Sequence, residues 1–325
     1  MPRQMGEAAA LISAFTWSCS SVALASLGAR TTPAVLSALR LAFGSVVLIL
    51  LLLMSGDFRE YQTLSALAAA GLILSGILGY AVGDTLYIRA LTRIGIQRTF
   101  PIVQALFILL SVAGGILILD ESAGWGLVAG AALVGVGIYL VIARAIPRAG
   151  PMAIGAAVDV EPAASAQAPR TRTRTRTRTR LHGWMADDYW LLPMVGLTWA
   201  CATILLAQSR GDLGAISAGT LRTPAGAFGL LAFTSVFQRA ELARPLRSRN
   251  HIGAIAAAGI LGTALGSLLY VYAVFEAGAA RTVVLNATAP LMAVPLSIFF
   301  LGERFSRRIA FGTALSVLGI IFVVS

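Results

Sequence analysis

GILGYAVGDTLY, Gly76 to Tyr87, recurs as GILGTALGSLLY, Gly259 to Tyr270. The copies share Gly-Ile-Leu-Gly, an Ala, a further Gly and a closing Leu-Tyr in the same order. Both lie inside apolar runs too long for a core strand, so helix is the expected conformation. On a helix Gly79 and Gly83, like Gly262 and Gly266, are four apart and share one face. Glycines so placed let a second backbone come close, which is how helices associate in lipid. A match of this length marks an internal duplication, and the duplication decides the fold.

Composition sets the solvent. Of 325 residues 58% are hydrophobic and 12% charged, and mean hydropathy is +0.83. That leaves too little polar surface for a water-soluble globule, so a lipid bilayer is the expected partner. The net charge of +11 is carried by arginine alone, for the chain has no lysine. Six arginines fall in one tract, Arg170 to Arg180, and most others flank apolar segments. Flanking positive charge belongs to polytopic membrane proteins, and no nucleic-acid partner is expected. Cys19 and Cys201 sit in apolar runs 182 residues apart, which argues against a disulfide framework. His182 and His251 lie outside the apolar segments, so neither a metal site nor a histidine proton relay is expected in the bilayer, and no cofactor is implied.

A bilayer core of about 30 Å takes about 20 apolar residues as helix. By that ruler the first half holds spans Ala8–Leu27, Pro33–Met54, Ser65–Ile88, Phe100–Leu119 and Trp125–Ala143. The second holds Tyr189–Ala207, Ala215–Phe237, Ile252–Phe275, Val283–Leu301 and Ile309–Val324. Arg3, the following apolar run and Ala23-Leu24-Ala25 mimic a signal peptide, but the copy of this segment near Tyr189 cannot act as one. The first span is therefore read as a retained helix.

The repeat runs well beyond the opening motif. Thr16-Trp17-Ser18-Cys19 matches Thr198-Trp199-Ala200-Cys201, and Leu39-Arg40 and Gly44 match Leu221-Arg222 and Gly226, all 182 residues on. The third and eighth spans align at 183, as do Arg98-Thr99 and Arg281-Thr282. Glu121, Gly130 and Gly137 then pair with Glu303, Gly312 and Gly319, back at 182. The expected architecture is an all-α polytopic membrane protein of ten transmembrane helices in two five-helix repeats, residues 1–143 and 188–325. An odd number of spans per unit inserts the second upside down, related to the first by a pseudo-two-fold axis in the membrane plane. Many secondary transporters are built this way, with substrate near the midplane between the repeats.

Residues 144–187 join the units. Low complexity and like-charge repulsion in the Arg-Thr tract predict a disordered linker, and no transport role is assigned to it. Arginine crowds the loops on the linker's side of the membrane, from Arg30, Arg93 and Arg98 to Arg239–Arg249 and Arg304–Arg308. The positive-inside rule then puts the linker in the cytoplasm and both termini outside.

Ten helices in two five-helix units, Trp near the first span, Arg in the second and a Gly-rich third ending in Leu-Tyr resemble the drug/metabolite transporter superfamily, in particular its EamA-type branch. Gly302-Glu303-Arg304 after the ninth span, with Pro290 upstream, also resembles that branch. The sequence departs from the family at Asp120-Glu121, where Gly-Glu is usual, and in lacking a first-half equivalent of Pro290. The resemblance implies export or import of small metabolites or drugs across the cell membrane. It also implies cytoplasmic termini, opposite to the arginine count; a reporter fused after Ser325 separates the two orientations.

A charge inside a span costs about 2.5–3.5 kcal/mol on insertion scales, so each marks a candidate site. Arg40 and Arg222 occupy equivalent positions about two turns into their spans. They suit a cationic cavity lining for an anionic or carboxylate-bearing substrate, or arginines that snorkel or hold a helix-end carbonyl. Asp84 is the one acid well inside a span, with Ser267 as its repeat partner. It suits a proton-coupling carboxylate, or a structural ion pair with an arginine. Trp17, Tyr80, Tyr87, Trp199 and Tyr270 read as an aromatic cavity wall or as interface anchors, and Gln104 and Asn286 as buried amides that need partners. Glu121 and Glu303 fall at span ends and read as interface residues.

These residues together predict a secondary transporter, an exporter of small molecules working by alternating access and coupled to protons or another ion, as monomer or homodimer. A sugar-phosphate or nucleotide-sugar antiporter is the alternative within transport. A polytopic enzyme would need an acid/base or metal constellation, and the sequence has neither HExxH nor Gly-x-Ser-x-Gly. A scaffold or channel is the remaining class.

Overall fold

Apolar runs of this length satisfy their backbone groups only within themselves, and helix follows. In the computed structural model the described residues are 2–27, 31–94, 96–122, 124–142, 188–289, 291–292 and 307–324. The linker 144–187, Arg30, Pro290 and Gly302-Glu303-Arg304 lie outside them. The first half gives α1 (Pro2–Leu27), α2 (Pro33–Ser55), α3 (Ala66–Gly76), α4 (Asp84–Ile94), α5 (Ile96–Ile118) and α6 (Trp125–Ile142). The second gives α7 (Leu191–Gln208), α8 (Ala215–Phe237), α9 (Arg239–Leu246), α10 (Arg249–Ala258), α11 (Gly266–Ala277), α12 (Ala279–Asn286) and α13 (Arg307–Val324). No strand occurs among the described residues.

Local chemistry sets the ends. Pro33 opens α2, where a missing N–H costs nothing, and Gly56 closes it at φ 77° with its N–H on Leu52 O. Ser65 caps α3 by accepting from the Ala68 N–H at 3.2 Å. Among the described residues four helical segments are long and apolar enough to cross a membrane: Pro33–Ser55, Ala66–Tyr87, Leu191–Gln208 and Arg249–Ala277. Shorter apolar helices run over Ile102–Ile118, Trp125–Gly137 and Ala314–Val323.

The expected spans sit on these helices with shifted ends, except the ninth, of which Pro290 and residues 293–301 lie outside the described residues. The first begins at Pro2 rather than Ala8, and the third runs on to Ile94. The quoted motifs themselves are not plain α-helix. Ile77–Gly83 and Gly259–Leu265 are wound as π-helical turns that join α3 to α4 and α10 to α11. The closest approach of a second backbone falls at the first glycine of each motif, whereas Gly79, Gly83, Gly262 and Gly266 meet side chains of the neighbouring helices. A Cβ on Gly76 would overlap the carbonyl oxygen of Arg222, and one on Gly259 would lie 2.6 Å from that of Arg40.

Packing joins the two sides of the linker. α1 lies along α10 and α11, α2 along α8, α5 along α7, α12 against α1 and α5, and α6 along α13. With lipid as apolar as leucine, such contacts hold through small residues and interhelical hydrogen bonds. The Ser20 hydroxyl donates to Ala258 O at 3.0 Å, and the Ser75 hydroxyl to Ala202 O at 2.5 Å. Ala202 and Ala258 are the repeat partners of Ser20 and Ser75, so the same pair of positions meets twice with donor and acceptor exchanged.

Glu121 is more than an interface residue. Its carboxylate accepts from the Ala279 N–H at 2.6 Å and the Ala280 N–H at 3.0 Å, capping α12 from the other half of the chain. Asp120 before it has φ 52°, the one non-glycine residue in the left-handed region among those described. That backbone explains why glycine suits the position and why Asp, a tolerated substitute, stands there. Glu121→Ala is expected to lower stability by about 1–2 kcal/mol, read as a lower thermal unfolding temperature in detergent; an unchanged temperature would show the cap to be idle.

Candidate functional site

Arginine and aspartate enter the bundle where partners meet them. The Arg40 Nη2–H donates to Asp84 Oδ2 at 2.7 Å, with side chains 11% and 7% exposed. Asp84 is the first residue of α4, directly after the π-helical turn, and Trp199 lines the same cavity. Arg40 Nε is buried and has no hydrogen-bond partner among the described residues. The Trp17 ring centroid lies 5.9 Å from the Arg40 guanidinium carbon.

Arg222 has different company. It is 4% exposed; its Nε–H donates to Ser75 Oγ at 2.9 Å and its Nη1–H to the Tyr80 hydroxyl at 3.1 Å. The Tyr80 and Tyr270 rings lie 4.7 and 6.0 Å from its guanidinium carbon. The Tyr80 hydroxyl sits 2.5 Å from Ser267 Oγ, and Tyr270 OH 2.8 Å from Thr203 Oγ1. Arg222 forms no ion pair among the described residues. Neither arginine snorkels. The contrast follows from the broken repeat: Asp84 gives Arg40 a counter-charge, and Ser267 in the equivalent place gives Arg222 none.

These groups surround one cavity of about 110 Å³, room for several waters or a small solute. All ten residues singled out in the sequence line it: Arg40, Arg222 and Asp84, the aromatics Trp17, Tyr80, Tyr87, Trp199 and Tyr270, and the amides Gln104 and Asn286. Trp199 packs against Tyr87 at 5.0 Å and edge-on to Phe107 at 5.7 Å between ring centroids. Asn286 Nδ2 donates to Ser13 Oγ at 3.1 Å, tying α12 to α1. Sequence reasoning missed Ser13, Phe107, Thr203 and Thr263, which also line the cavity. Hydroxyl and phenyl groups recur throughout the apolar runs, so nothing in the sequence sets these apart. Two cations against one carboxylate leave the lining with excess positive charge.

Two stretches of the chain, residues 4–143 and 189–325, match the model of the EamA-like transporter family. The chain belongs to that family. This EamA-like transporter is therefore a multi-pass membrane protein of the drug/metabolite type, with small molecules as its substrates. Twenty-six chains of solved structure match it. One, described as the crystal structure of a protein, is 18% identical with a TM-score of 0.73 over 98% of this chain and 96% of that one. At that identity the likeness is one of fold. No curated protein matches.

Proposed function

We propose that this EamA-like transporter is a secondary carrier of the cell membrane that moves small, flat, anionic solutes by alternating access. In this reading residues 1–143 and 188–325 are two inverted five-helix repeats, and the ten cavity residues bind solute between them. One observation carries it: among the described residues the cavity holds a buried arginine with only neutral hydrogen-bond partners, Arg222, beside a second arginine whose Nε–H has none. A carboxylate entering there completes the hydrogen bonding of Arg40 and offsets the charge on Arg222. Tyr80, Tyr270 and Trp199 offer ring faces to a planar solute.

Asp84 supplies the coupling. Ionised, it holds Arg40; protonated, it releases Arg40 to the solute, so the Asp84 carboxylate and the anion compete for one guanidinium, and proton and anion bind together. Reciprocal pairing of repeat positions, as in Ser20–Ala258 and Ser75–Ala202, supports the two-fold relation. Rocking of one unit on the other must break the contacts that tie them at each end. Where α1 starts these include Arg281–Glu7 at 3.1 Å, the Gly214 N–H on Glu60 at 2.8 Å and the Tyr61 hydroxyl on Ser217 O at 2.8 Å. Burial, and secondarily the Glu60 charge, push the Tyr61 phenol up to about 12, so it remains a donor at neutral pH. At the other end Thr31 meets His251 at 3.0 Å and Thr32 donates to Gln238 at 2.7 Å.

The test is counterflow in proteoliposomes over a panel of aromatic carboxylates, their neutral amides and matched cations. Saturable exchange of the carboxylates, with the amides at least tenfold poorer, is expected. Absence of any solute-dependent exchange, or preference for the cations, would overturn the assignment.

A further inference from the structure

Between the apolar helices α8 and α10 the chain carries four exposed arginines, Arg239, Arg244, Arg247 and Arg249, on α9 and its flanks. The cavity and its chemistry make no use of them. The segment is held in place from both ends: Gln238 accepts from Thr32 at 2.7 Å, and His251 contacts Thr31 at 3.0 Å. Leu242 of α9 packs on the cluster of Val35, Leu36, Leu39 and Ile255. Ser248 caps α10 through the His251 N–H. The arginines therefore stand on a fixed platform, where ordering on binding costs little. Phe237 and Leu246 are 72% and 56% exposed beside them. The one acid in the segment, Glu241, is paired with Arg244 at 3.0 Å, so net positive charge remains.

We propose that Arg239–Arg249 is a binding platform for the headgroups of anionic phospholipids. It lies where two apolar helices end, the depth at which lipid phosphates stand, with exposed apolar side chains beside the charges. Guanidinium forks bind phosphate oxygens in pairs. Each arginine near an anionic surface is worth up to about fivefold in partition at low salt, and added salt screens that preference. Anionic lipid, rather than free phosphate or nucleic acid, is the partner that meets both the charges and the apolar residues at once.

The test uses the full-length chain with Cys19→Ala, Cys201→Ala and Asn250→Cys, the last carrying a fluorophore in the exposed first turn of α10. Vesicles contain brominated phosphatidylglycerol or brominated phosphatidylcholine as quencher. Phosphatidylglycerol is expected to quench at severalfold lower mole fraction, and high salt to narrow the gap. R239Q/R244Q/R247Q/R249Q is expected to bring the two curves together, whereas Gln at the arginines of Arg170–Arg180 leaves them apart. Equal quenching by both lipids in the unsubstituted platform would overturn the proposal. So would a preference that survives the four substitutions, or one lost with the linker arginines instead. Counterflow activity plays no part in this readout, so it stands or falls apart from the transport reading.

Discussion

Asp84→Asn is expected to abolish solute accumulation driven by a pH gradient, a loss of at least tenfold, while solute counterflow persists. Asparagine keeps the shape of the side chain that Arg40 meets at 2.7 Å but removes both the charge and the exchangeable proton. Arg40 is then open to an anion at every pH, and binding is no longer linked to the taking up of a proton. Affinity for an anionic solute should stay level or rise, because the competing carboxylate is gone. Arg40→Gln acts in the opposite sense. It leaves Asp84 buried without its counter-charge, a change that costs about 3–5 kcal/mol in comparable buried pairs, and it removes a ligand for the anion. Combining the two substitutions should recover most of that stability but none of the coupling. The measurement is accumulation and counterflow in proteoliposomes, with thermal unfolding alongside. A purely structural ion pair predicts another pattern: both single variants less stable, and the pH dependence intact. Undiminished pH-driven accumulation in a correctly inserted Asp84→Asn protein would remove Asp84 from the coupling mechanism.

Much of this site is legible in the sequence because charge is costly in lipid. Arg40, Arg222 and Asp84 stand inside apolar runs, so they had to face inward, and a shared cavity follows once the two halves pack together. The helices are legible for the same reason, since a run of about 20 apolar residues has no other way to satisfy its backbone. What stayed hidden depends on which helix faces which. The π-helical turns at Ile77–Gly83 and Gly259–Leu265 form against α8 and α2, and no local propensity distinguishes them from α-helix. The approach of Trp199 to Gly83 spans the linker, as does the cap that Glu121 places on α12. The short helix α9 was hidden by its arginines, which read as a loop because its docking residue, Leu242, is one side chain among charges. The unequal company of the two arginines was half legible: the substitution of Ser267 for Asp84 is in the sequence, but the turn of Arg222 toward Ser75 and Tyr80 is not.

Gly76→Ala is expected to be the most damaging single methyl in the chain's helix contacts. The added carbon would overlap the backbone oxygen of Arg222, and a backbone atom cannot step aside by changing rotamer. Relief must come from moving α3 away from α8, with a cost of about 1–3 kcal/mol or more for such overpacking. The same shift draws Arg222 away from Ser75 and Tyr80, its 2.9 and 3.1 Å partners, so transport should fail with stability. Gly259→Ala repeats the experiment in the other half with a softer clash, 2.6 Å from Arg40 O and 3.0 Å from Phe43 Cβ. Gly253→Ala, in α10 with nothing within 4 Å of the added carbon, is the control, and it should gain about 0.5–1 kcal/mol from helix propensity. Thermal unfolding in detergent should therefore rank the three variants with Gly76→Ala lowest, Gly259→Ala next and Gly253→Ala at or above the parent. The ranking matters more than any single value, because it follows how closely a neighbouring helix approaches the added carbon at each glycine. Gly76→Ala melting level with Gly253→Ala would mean that α3 and α8 do not cross at Arg222, and the cavity built on that crossing would have to be redrawn.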